Sequence, residues 1–315
     1  NWNSAVRAPV PPPKLISPIY GENINNQSPV FYWENLQAAD NYRLVIDNSP
    51  GFDDGDNELN TYPPGTASSY DISPQVLNEG IWYWHMNQTR TNVTSEWSPT
   101  WWFRVDVTPP AAPALIQPLD GENIGNVDDE RDNTPFFDWD PVTTESDGSP
   151  ENSLPLVYEI QIATDSGFNN IVYEDNLYSD NDNFDLHPAD ALPDNFYYWR
   201  VRATDNAGNV GGWSTRTFRV DTVAPEIPTM LYPINDEWAP VDPIIRWESV
   251  DENSKPVVYS IEISQYSDFA TTQESYTGTN NFYQPTTLFE KRWYWHVKAR
   301  DNAGNETTWS SGESF

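Results

Sequence analysis

The sequence predicts an all-β protein: three tandem antiparallel β-sandwiches in an extended rod. Three observations carry this expectation. Similar blocks recur three times along the 315 residues, at a domain-sized period rather than the 20–50 residues of a solenoid. Within the blocks, apolar and polar residues alternate with period two, as on a strand with one buried face. Proline gathers where one repeat gives way to the next, at Pro9 to Pro13, Pro109 to Pro113 and Pro225 to Pro228. Such joints are extended and semi-rigid.

Each repeat opens on an apolar stretch closed by proline: Leu15-Ile16-Ser17-Pro18, Leu115-Ile116-Gln117-Pro118 and Met230-Leu231-Tyr232-Pro233. The spacing is 100 residues from Pro18 to Pro118 and 115 from Pro118 to Pro233. A second strand follows at Pro29-Val30-Phe31-Tyr32-Trp33, Pro135-Phe136-Phe137-Asp138-Trp139 and Pro243-Ile244-Ile245-Arg246-Trp247. The third is Tyr42 to Ile46, Tyr158 to Ile162 and Tyr259 to Ile263, trailed by a lone Phe52, Phe168 or Phe269. The blocks Trp82-Tyr83-Trp84, Tyr197-Tyr198-Trp199 and Trp293-Tyr294-Trp295 lead the next strand. Each repeat closes with Trp-Ser (Trp97, Trp213, Trp309) and a Phe (Phe103, Phe218, Phe315). No segment keeps a 3.6-residue period, and about seven short strands per ~100 residues read as a sandwich. Large flat rings fill the ~10 Å between two sheets, so most of the 15 Trp are expected in the cores. The expected boundaries are 1–12 (a leading segment or the end of a preceding repeat), 13–107, 108–222 and 223–315. The last strand, ending at Phe315, reads as cut short against Phe218-Arg219-Val220-Asp221, as if the chain were part of a longer polypeptide.

The run Gly-x-Tyr-Tyr-Trp-x-Val-x-Ala-x-Asp-Asn-Ala-Gly-Asn, with its preceding Pro-x-Phe-x-Trp and Tyr-x-Leu-x-Ile and its closing Trp-Ser and Phe-x-Val-Asp, resembles the fibronectin type III and immunoglobulin-like domains arrayed on prokaryotic cell-surface proteins. The joints Val105-Asp106-Val107-Thr108-Pro109-Pro110 and Val220-Asp221-Thr222-Val223-Ala224-Pro225 are similar to the linkers of those arrays. The resemblance covers nearly the whole chain. It implies fold strongly and function weakly, because the fold hosts many roles. The first repeat departs from it, with Gln88 to Thr94 in place of Asp-Asn-Ala-Gly-Asn.

Composition narrows the function. With 16 basic against 48 acidic groups, the net charge is −32, which excludes nucleic-acid binding by phosphate neutralisation and argues against adhesion to an anionic membrane. The absence of cysteine removes disulfide, thiolate and iron–sulfur chemistry. No apolar run approaches a membrane span. The chain lacks a nucleophile elbow, a His-Glu-x-x-His and a phosphate-cradling glycine loop. His85 and His296 fall on equivalent outward strand positions and read as ordinary surface residues. The expectation is a non-catalytic extracellular structural protein, a building block of a cell-surface layer, sheath or filament that self-assembles or joins neighbouring surface proteins. An adhesin stalk or binding region with a glycan or host ligand, and an accessory module array of a large secreted hydrolase, stand as alternatives.

No cofactor is required by this reading, but Ca²⁺, a hard cation wanting six to eight oxygens, is a candidate. The middle repeat holds 22 of the 48 acidic groups. Its acidic loop supplies Asp180, Asp182 and Asp185 as candidate ligands. Asp106 or Asp221, beside the joints, would share an ion with acids of the next domain, for which Asp205 and Asp301 of the Asp-Asn-Ala-Gly-Asn loops are candidates. Asp53 to Glu58 resembles the start of a calcium loop but lacks the glycine that an EF-hand needs. The sequons at Asn26, Asn87, Asn92 and Asn305 are candidate glycan acceptors if exposed in a secreted protein.

Overall fold

A computed structural model describes residues 9–35, 39–52, 59–125, 133–178, 182–250 and 254–315. It is all-β, with one 3-10 turn at Pro188–Asp190. The middle repeat shows the plan. Leu115–Gln117, Phe136–Trp139 and Asn183–Asp185 make a three-stranded antiparallel sheet. Facing it is a five-stranded sheet in the order Glu122–Ile124, Ser214–Val220, Asn195–Thr204, Val157–Ala163, Ile171–Tyr178. The first repeat has the same two sheets, with the hairpin partner Val93–Thr94 added to Gly80–Arg90. In the third, Met230–Tyr232, Ile245–Trp247 and Phe282–Tyr283 face Glu274–Gly278, Val258–Ser264, Tyr294–Arg300 and Glu313–Ser314. Glu313–Ser314 pairs with Tyr294 and Trp295, so a short edge strand stands where the middle repeat has seven residues.

In the first two repeats the proline that closes the opening strand marks a change of sheet. After Pro118, Gly121 takes φ +75°, a conformation that glycine accepts without a Cβ clash. Its N–H donates to Thr217 O (2.9 Å), while Glu122 Oε2 accepts from Leu119 N (2.6 Å). The chain then runs parallel to the last strand, pairing Glu122 with Phe218 and Ile124 with Val220. Gly21 at φ +82° makes the same move towards Phe103 and Val105. In the third repeat Asp236 occupies this position at φ +58°.

Three separate cores result. Phe137 meets Trp199 edge-on at 5.0 Å, as Phe31 meets Trp84 at 4.9 Å. Trp139 lies against Tyr158, Trp33 against Tyr42 and Trp247 against Tyr259. Edge-to-face pairs of this kind add about 1 kcal/mol beyond area burial. The Tyr158 and Tyr259 hydroxyls also accept from Val142 N (2.8 Å) and Val250 N (2.9 Å).

The lone Phe of each repeat has its own explanation. Phe52, Phe168 and Phe269 all sit near φ +53°, a left-handed conformation that costs a bulky residue on the order of 1 kcal/mol or more. Each ring covers a side chain of a later strand, Gly80–Arg90, Asn195–Thr204 or Tyr294–Arg300. Phe52, His85 and Trp97 form a stack with spacings of 3.8 and 4.0 Å. Phe269, His296 and Trp309 repeat it at 3.6 and 3.9 Å. In the middle repeat the Arg200 guanidinium lies between Phe168 and Trp213 at 4.0 and 4.1 Å, where cation–π attraction replaces ring stacking. The two histidines are therefore not ordinary surface residues: their faces are covered, and His296 is buried.

This burial has a measurable consequence. Desolvation, with Arg43 adding repulsion, pushes the His85 imidazole down from 6.5 to about 4. Desolvation lowers His296 too, against an opposing pull from Glu262. Between these values the unfolded chain binds more protons, so this contribution is full above pH 6.5 and is lost as pH falls through about 4. Replacing His85 and His296 together with Gln should shrink the drop in Tm between neutral pH and pH ~4, read by calorimetry. An equal drop in both proteins would refute the assignment.

Candidate functional site at the domain joints

The strand Trp101–Val105 delivers Asp106 to the first joint, where its N–H donates to Ile24 O (2.9 Å). Glu79 Oε1 accepts from Val107 N (2.9 Å) and Thr108 Oγ1 (2.7 Å), clamping the chain as it leaves the first sandwich. The second sandwich takes hold immediately: Ser146 N donates to Pro109 O and Ala111 N to Thr144 O, both at 2.9 Å.

The loop Asp205 to Asn209 reaches back from the second sandwich. Asp205 accepts from Asn209 N through Oδ1 and from Asn209 Nδ2 through Oδ2, both at 2.8 Å. The same Asn209 amide donates to Asp106 O (2.9 Å), so one side chain closes its own loop and grips the preceding domain. Gly208, at φ +91°, supplies the backbone conformation that closes the loop. Asn206 N donates to Ser153 O (2.8 Å), and Ser153 N to Glu151 Oε1 (2.8 Å), which brings Glu151 to the same place.

Carboxylate oxygens of Asp106, Glu151 and Asp205 consequently lie within 4.8 Å of one another. The three residues are 4%, 8% and 5% exposed. Among the described residues, Asp106 Oδ2, Glu151 Oε2 and the Oγ of the fully buried Ser153 have no hydrogen-bond partner. Burial raises the carboxyls of Glu145, Glu151 and Asp205 above the usual range, and the charge of Asp106 pushes each further up. A cleft of about 200 Å³, lined by Glu79, Arg104, Asp106, Glu145 and Ser149 among others, reaches the cluster at Asp106.

The second joint repeats the frame. Asp221 N donates to Ile124 O (2.8 Å), and Asp194 Oδ1 clamps Thr222 through N (3.1 Å) and Oγ1 (2.8 Å). Asn305 Nδ2 donates to Asp221 O (2.7 Å) and Asp301 Oδ2 (2.9 Å), while Asn305 N donates to Asp301 Oδ1 (2.9 Å). Asn302 N meets Ser254 O at 2.8 Å. Gly125 abuts Asp221 O and Ala303, leaving no room for a Cβ. The charges differ: Arg219 Nε stands 3.6 Å from Asp221 Oδ2. Burial, with Asp221 adding, raises Asp301. In sequence Glu252-Asn253-Ser254 parallels Glu151-Asn152-Ser153, but Glu252 lies outside the described residues.

Of the candidate ligands, the structure brings Asp106 and Asp205 together and sets Asp221 beside Asp301. Asp182 and Asp185 lie apart from the joints, next to and within the strand Asn183–Asp185; Asp182 Oδ1 accepts from its neighbour Asn183, and Asp185 is exposed. Asp180, the loop 53–58 and most of the leading segment, residues 1–8, lie outside the described residues. The stretch Glu145 to Glu151 reads as an acidic loop in sequence, but Glu151 itself is not among the candidate ligands, because nothing local marks which of its acids meets Asp106 and Asp205. The repeated Glu-Asn-Ser ahead of the Tyr158 and Tyr259 strands was the available signal.

Two candidate glycan acceptors need correction. Asn305 is 2% exposed and its amide is engaged with Asp221 and Asp301. Asn87 is also buried. A side chain so enclosed has no room for a glycan in the folded domain. Asn26 and Asn92 are exposed.

No family model matches the chain, nor does any curated protein. Among solved structures it is similar to the chicken CNTN1 FN1-FN3 domains, with 17% identity, a TM-score of 0.39, and coverage of 98% of this chain and 99% of that one. The sheet order itself defines tandem sandwiches of the fibronectin type III and immunoglobulin-like kind. No helix among the described residues is long and apolar enough to cross a membrane.

The Asn305 bridge is testable by denaturation. Asn305→Ala strands Asp221 O and Asp301 Oδ2 in a buried place, which should cost the third domain about 2 kcal/mol, seen as a lower urea midpoint with unchanged slope. A midpoint equal to that of the parent would show that the bridge contributes nothing to stability.

Proposed function

We propose that this chain is a non-catalytic extracellular structural element, a semi-rigid spacer that serves in a cell-surface layer, sheath or filament. The observation that supports it best is the repeated joint. In both, an Asn side chain from one sandwich bonds to the backbone of the one before, and an acid clamps the departing linker. Flexible tethers have no such built-in contacts, whereas a spacer whose task is distance and orientation needs them. The acidic surface, net −32, keeps such a chain soluble until it assembles. Copies of the chain or neighbouring surface proteins are its proposed partners.

Small-angle scattering tests the spacer. The chain should scatter as an extended particle with a well-defined longest dimension. Asn209→Ala with Asn305→Ala should broaden the distance distribution while circular dichroism stays unchanged. A parent chain already as broad as the double variant would sink the proposal. Electron microscopy over a range of protein concentrations tests assembly: ordered sheets or filaments support the structural role, and isolated particles at every concentration count against it.

A further inference from the structure

We infer that the first joint binds one Ca²⁺ ion between the second and first sandwiches, through carboxylate oxygens of Asp106, Glu151 and Asp205. Three anions this close and this buried repel one another unless something positive lies between them. Their own surroundings supply neutral donors to part of each group: Asn209 to Asp205, Ser153 N to Glu151 Oε1, and Thr108 N to Asp106 Oδ1 at 3.2 Å. Asp106 Oδ2 and Glu151 Oε2 are buried without any donor, and a native fold rarely leaves such atoms empty-handed.

The donor set points to a hard cation. Every candidate atom is a carboxylate oxygen, and Glu145 is close enough for the charges of Asp106 and Glu151 to act on it. Opposite ligands around Ca²⁺ stand about 4.6–5.2 Å apart, against about 4.0–4.2 Å around Mg²⁺. The three oxygens lie within 4.8 Å of one another, close enough to share one ion, and the larger ion, with its flexible shell, accepts such an irregular donor set more readily. The adjoining cleft offers an entry path. At the second joint Arg219 stands 3.6 Å from Asp221, whereas its counterpart at the first joint, Arg104, lines the cleft and forms no ion pair with Asp106 among the described residues.

Asp106 belongs to one sandwich and Glu151 and Asp205 to the next, so the ion would cross-link them. Binding itself stands independently of the spacer reading; only the resulting stiffening rests on it.

The test uses the full chain, stripped with a chelator and desalted, titrated with calcium chloride in a calorimeter. One site per chain is expected. Glu151→Gln and Asp106→Asn, which keep shape and remove charge, should each weaken it by roughly tenfold or more and abolish the Ca²⁺-induced rise in Tm. Asp140→Asn, an exposed acid on the same sandwich, should leave affinity unchanged. No saturable binding up to about 10 mM, or the same affinity in Glu151→Gln and Asp106→Asn as in the parent, would overturn the site. Near-ultraviolet circular dichroism confirms that the variants are folded, and either variant alone suffices. Scattering with and without Ca²⁺ separates the two readings: saturable binding with an unchanged distance distribution upholds the site and removes its stiffening role.

Discussion

An amide that divides its hydrogen bonds between two domains underlies the arrangement of this chain. Asn209 and Asn305 each close a loop of their own sandwich and hold a backbone carbonyl of the preceding one. The closed loop holds the amide in place, and the amide so held points across the joint. Local folding and domain orientation are thereby coupled through a single side chain, at a position where proline alone would supply only an extended linker.

The two joints share this frame and differ in charge. At the second, Arg219 answers Asp221. At the first, acids gather from the last strand of one sandwich and two loops of the next. Buried like charges are costly, and they are relieved by proton uptake, by a cation or by separation. Any of these ties the state of the joint to its medium. The three repeats thus use one backbone plan for two junctions, one with an arginine beside its first acid and one where three acids meet.

Much of the architecture was legible because it is periodic. The alternation of Tyr197, Trp199, Val201 and Ala203 against Tyr198, Arg200 and Arg202 is a local property, and burial follows it. The joints were half legible. Asp106 and Asp205 announced themselves by repetition, whereas Glu151 is one of 48 acids until the loops are assembled. His85 and His296 were misread for the same reason: the faces that cover them come from Phe52, Trp97, Phe269 and Trp309, distant in sequence. Asn305 shows the limit of a three-residue pattern, which marks a sequon but says nothing about enclosure.

The sheet change after Pro18 and Pro118 bears on how these domains respond to force. Each places a short strand near the domain's start parallel to its last strand, Glu22–Ile24 on Trp101–Val105 and Glu122–Ile124 on Ser214–Val220. Tension applied through the joints draws such paired strands past each other lengthwise. Their hydrogen bonds then resist together in shear instead of opening one after another like a zipper. The first and second sandwiches are therefore latched where a pull along the chain enters and leaves them.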